Sequence, residues 1–105
     1  MDNREKLGRC AEQLRKAVIY FAVNPGEPKE KLRGLMLETS FGNINEGEFP
    51  EGNLKQEFQI INRQLRMKTS SIDETIRGMS AEESRNLILQ ICELSENVAH
   101  TFATT

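Results

Sequence analysis

Tryptophan is absent from this chain, and its aromatic residues amount to one tyrosine and five phenylalanines. A β-sandwich core draws on aromatic and β-branched side chains, so this shortage points to interdigitating helices instead. Histidine occurs once, at His100, and cysteine twice, at Cys10 and Cys92. Two distant thiols make neither a disulfide framework nor a zinc-spaced pair, and they read as reduced cysteines. Glycine-rich phosphate loops and nucleophile elbows are missing too. No apolar run approaches the roughly 20 residues of a membrane span. Met1-Asp2-Asn3-Arg4-Glu5 is not followed by the hydrophobic stretch of a signal peptide. An excess of either charge is also lacking: 14 Lys and Arg face 16 Asp and Glu, a net charge of −2. No bulk field therefore draws the chain to nucleic acid or an anionic membrane. The expectation is a cytoplasmic protein, without membrane attachment, cofactor, metal or catalytic activity.

With 105 residues, the chain is expected to form a single domain over 1–105 with one modest core. Amphipathic segments supply it. From Arg4 to Val23, Leu7, Ala11, Leu14, Val18 and Phe21 recur at helical spacing. Asn24-Pro25-Gly26-Glu27-Pro28 ends that helix in a turn, with Gly26 suited to a positive φ. A short helix then starts at Pro28 and carries Leu32, Leu35, Met36 and Leu37, ending near Thr39–Gly42. Gly34 costs about 1 kcal/mol in its middle, which implies close approach by another backbone. Residues 42–53 lack a helical period and read as a compact surface loop pinned by Phe41, Ile44 and Phe49.

The most regular stripe follows an N-cap expected at Asn53. Leu54, Phe58, Ile61, Leu65, Ile72, Ile76 and Met79 lie within roughly 60° on a helical wheel. Phe58, Leu65, Ile72 and Met79 are spaced by sevens, which favours one long helix over 53–79. Ser71 with Glu74 offers a competing capping box that would divide it. After Gly78, Ser80 and Glu83 form a second capping box for a last helix over Ala81–Phe102, with Leu87, Ile91, Leu94, Val98 and Phe102 as its stripe. The short link implies a C-terminal antiparallel αα-hairpin, with Phe58, Leu65, Leu87, Ile91 and Leu94 buried together. The fold class expected is all-α, a small bundle of about four helices.

Chemistry-bearing residues do not assemble into a reactive pattern. His100 shares a helical face with Glu93 and Glu96, but a di-iron bundle site needs Glu-x-x-His from two helices, and here the spacing is four with no second histidine. Cys92 is eight residues from His100, about 12 Å along the helix axis, too far for a nucleophile pair. Counted from Asn43 as an EF-hand, the acidic loop has Glu48 at the sixth position and Leu54 at the twelfth, where glycine and glutamate belong. A helix-turn-helix around Gly78 would bury Asp73, Glu74 and Arg77 and would present Glu82 and Glu83 to phosphate.

Surplus apolar surface is the feature left over. Ile19, Tyr20 and Val23 lie opposite the stripe of the first helix, and Ile60 and Met67 lie off the stripe of the long one. Burial by a central first helix, with the acidic loop folded over its end, would absorb Ile19 and Tyr20. The alternative is a partner surface. The functional expectation is a non-enzymatic interaction protein: an adaptor, oligomerising regulator or inhibitor of a larger protein, forming a homodimer. The second reading is a nucleic-acid-associated regulator using Lys55, Arg63, Arg66 and Lys68 on the long helix, less favoured because solvated basic faces are common.

Overall fold

A computed structural model describes residues 3–39, 41–66 and 71–105. The fold is an all-α bundle, with no strand among the described residues. Its helices are α1 (Asn3–Val23), α2 (Pro28–Glu38), α3 (Asn53–Leu65), α4 (Ile72–Arg77) and α5 (Ala81–Ala103).

Local chemistry accounts for most of the boundaries. Pro28 opens α2, where its missing N–H costs nothing, and Gly26 takes the positive φ of the preceding turn. The capping box at Ser80 and Glu83 is formed in full and starts α5. Asn53 proves to be the first residue of α3 rather than its cap. The N-cap is Gly52, at φ 128°, a backbone conformation that side chains rarely tolerate.

The single helix expected over 53–79 is instead two. Arg66 has left helical geometry, at φ −116° and ψ 26°, and Ser71 caps a new start by accepting from the Glu74 amide at 3.0 Å. Serine and threonine at 69–71 are weak helix formers, and a capping serine offers the backbone a competing partner. Freed from α3, α4 turns to α2. There Asp73 accepts from Arg33 at 2.7 Å and pairs with Arg77 at 3.0 Å, while Lys29 donates to the Arg77 carbonyl at 2.9 Å.

The central element is α5, which packs along α1 and also against α2 and α3. Phe102 near its end lies over Gly8, with Arg4 4.4 Å from the ring centroid, so α1 runs antiparallel to it. Gln64 bonds Gln90 and Asn97 bonds Glu57, which makes α3 antiparallel to it as well. The expected hairpin is therefore α3 with α5, and α4 lies within its connection. Phe58, Leu65, Leu87, Ile91 and Leu94 are all buried in one cluster.

That arrangement differs from the alternative of a central α1 with the acidic loop folded over its end. The loop of 3-10 turns at Phe41–Asn43 and Glu46–Glu48 covers the first half of α1, away from Ile19. It is pinned as expected: Phe41, Ile44 and Phe49 are buried, and Phe49 stacks on Phe58 at 4.6 Å. Because α1 meets the loop and α2 on one side and α5 on the other, its inward face is rotated. Cys10 and Ala17 are buried where Ala11 and Val18 were expected, and those two are only half-buried.

Candidate interaction surfaces

Neither thiol is activated. Burial raises the pKa of Cys10 to about 11, helped by the Glu48 carboxylate, and its Sγ donates to the Glu48 carbonyl at 3.1 Å. Cys92 is also raised, by burial and then by Glu96 and Glu93. A thiol held protonated is a poor nucleophile and a poor metal ligand. His100 is exposed in the last turn of α5, on the wall of an open groove of about 460 Å³ with Glu51 and Glu57. Among the described residues, no three histidine, cysteine or carboxylate side chains converge to hold a metal ion. No described helix is long and apolar enough to cross a membrane.

The apolar residues set aside in the sequence separate on folding. Ile19 and Val23 remain outside, 46% and 68% exposed, one turn apart on the outer face of α1. Tyr20 does not join them. It turns toward α2, where its hydroxyl donates to the Glu38 carboxylate, and it lies so close to Gly34 that a Cβ there would overlap the hydroxyl. The close approach inferred at Gly34 is thus made by a side chain rather than a backbone. Ile60 is 51% exposed on α3, whereas Met67 lies outside the described residues. Leu37 and Leu89 are exposed as well and were not read as surface residues; Leu89 falls off the stripe of α5, a signal already present in the spacing.

The basic residues do not share one open face. Lys55 is paired with Glu51 at 2.6 Å, with Glu46 close enough to raise its pKa further. Arg66 is turned to Asn62 at 2.9 Å and to the Gly42 carbonyl at 3.3 Å. Arg63 is exposed, and Lys68 lies outside the described residues. The acidic loop packs beside this side of α3, with Gln59 donating to Glu46 at 3.1 Å, so carboxylates accompany the cations.

A small hole lies between α3 and α5. It has a volume of about 180 Å³ and is lined by the buried Ile61 and Leu94 together with Glu57, Ile60, Gln90 and Glu93. Two polar bridges cross the seam beyond it, Gln64 to Gln90 at 2.7 Å and Asn97 to Glu57 at 3.1 Å. Comparison with protein-family models, curated proteins and solved structures found no match, so function is read from these residues alone.

Proposed function

We propose that this chain is a non-enzymatic interaction protein, an adaptor, oligomerising regulator or inhibitor of a larger partner, and that it pairs with a second copy of itself. The observation that carries the reading is the outer face of α1, where Ile19 and Val23 stay exposed after every helix has packed. Large aliphatic side chains one turn apart, flanked by charge, suit an interface core with a polar rim. Glu12 and Lys16, 3.7 Å apart, lie on the same face. A rim that carries both signs is self-complementary under a two-fold axis, the commonest symmetry of soluble oligomers. A stable pair buries about 800 Å² per partner, so these neighbours must take part along with the two aliphatics.

Light scattering across a dilution series tests the proposal. The expected result is a dimer that Ile19→Glu and Val23→Glu convert to monomer, since each would bury an unpaired charge. A chain that is monomeric at every concentration rejects self-pairing. A dimer indifferent to both substitutions rejects this face.

A further inference from the structure

The hole between α3 and α5 has properties that single out one kind of occupant. Its apolar lining combines Ile61 and Leu94, which are 2% and 1% exposed, with Ile60, which is 51% exposed and opens to solvent. The Gln64–Gln90 and Glu57–Asn97 bridges hold the two helices together on either side of it. Such a depression between paired helices has the form of the hole that accepts one knob from a facing helix in a coiled coil. Leu89, one turn before Glu93 on α5, is 53% exposed beside it.

Charge decides what the facing helix must be. Glu57 and Glu93 line the hole, and Glu96 is exposed one turn further along α5. The exposed cations nearest along these helices are Arg63, three residues from Ile60, and Arg85, one turn before Leu89, and neither lines the hole. A second copy applied at the hole itself would set Glu57 and Glu93 against the same carboxylates, unlike the mixed rim on α1. We propose that the hole receives a large aliphatic side chain from a basic amphipathic helix of another protein, with lysine or arginine flanking that knob by three or four residues to meet Glu57, Glu93 and Glu96. This inference rests on the reading of the chain as an interaction protein and names the partner of its second face.

The probe is a synthetic amphipathic helix with leucines along one face and lysines beside them, dye-labelled and titrated against the full chain by fluorescence anisotropy. A twin carries glutamates in place of the lysines. Expected are saturable binding of the lysine peptide, weakening with added salt, and no comparable binding of its twin. Glu93→Lys should weaken binding by about tenfold or more, as for an interface hot spot. Ile60→Asp is the sharper test. It adds negative charge, so attraction through charge alone would tighten the complex, whereas docking into the hole weakens it by a similar factor. Both positions are solvent-exposed, and circular dichroism on each variant checks that the helices are intact.

Failure to bind the lysine peptide, equal binding of the twin, or tighter binding by Ile60→Asp overturns the inference. If the chain self-pairs through α1 but ignores the lysine peptide, only this inference falls. If it is monomeric yet binds the peptide through Ile60 and Glu93, only the self-pairing falls.

Discussion

Tyr20 shows how one side chain can leave the surface its spacing assigns to it. Its ring meets Phe21 edge-on, with centroids 6.5 Å apart, and its hydroxyl reaches Glu38 across the space that Gly34 leaves open. The hydrogen bond to Glu38 raises the phenol pKa above 10, with burial and the carboxylate's charge adding to it. The chain has one tyrosine and no tryptophan, so the near-ultraviolet phenolate band reports this residue alone. Its titration midpoint should lie above the ordinary tyrosine value, and Glu38→Gln should lower it. Because the folded pKa is raised, the associated stability is present below the unfolded pKa and is lost as pH rises through the folded one. Gly34→Ala gains about 1 kcal/mol of helix propensity but displaces the hydroxyl. Stability then changes little while the tyrosine midpoint falls. A midpoint unmoved by either substitution would mean that the phenol does not bond Glu38.

Among the elements, α5 has the best-defined start and α4 the least independence. The Ser80 hydroxyl accepts from the Glu83 amide at 3.0 Å, and the Glu83 carboxylate accepts from the Ser80 amide at 3.0 Å. Ser80→Ala should cost about 1 kcal/mol of stability, read as a lower urea midpoint. Bonds from Ser80, its backbone amide first and then its side chain, hold the Glu83 carboxyl below its usual pKa. Its contribution is present above the unfolded carboxylate pKa and is lost as pH falls through the folded one, so the cost of Glu83→Ala, which removes that carboxylate, should shrink in acid. A penalty that stays constant down to the lowest pH at which the chain folds would contradict this. With only six residues, α4 is too short to hold its own helix. It depends on Ser71 at its start and on the Asp73 carboxylate gripped by Arg33 and Arg77.

At the scale of the whole molecule, stability is concentrated where α5 meets its neighbours. Ile91 is fully buried at the middle of that helix, with Leu87 and Leu94 beside it in the core. Ile91→Ala should cost roughly 2–5 kcal/mol through lost burial and the cavity left behind. That is a large share of the 5–15 kcal/mol (roughly) that a domain this small commands. A denaturation midpoint unchanged by the substitution would mean that α5 is not central. The outward faces follow from the same plan. Once α1 and α3 flank α5 and the loop covers the first half of α1, no further element among the described residues covers Ile19, Val23 and Ile60.

Properties of the backbone and of near neighbours were legible in the sequence. Helical class, the turn at Gly26, the start at Pro28 and the Ser80–Glu83 box each follow from spacing or from one residue's hydrogen-bonding chemistry, which acts within a few residues. The core across α3 and α5 was legible for the same reason, because a stripe of large aliphatics must find another. Where two local signals competed, the sequence held both. The sevens from Phe58 to Met79 describe a face and are satisfied by two helices as well as by one, while Ser71 decides where the backbone breaks. Tertiary structure alone chose which helix is central, because apolar stripes on α1, α3 and α5 are interchangeable until loops and volumes are packed together. It also chose the rotation of α1 that buries Cys10 and Ala17, and the partner of Tyr20. The hole beneath Ile60 belongs to neither α3 nor α5. Its apolar pair, Ile61 and Leu94, and its acidic pair, Glu57 and Glu93, each join residues more than thirty positions apart in the chain, which only packing brings together.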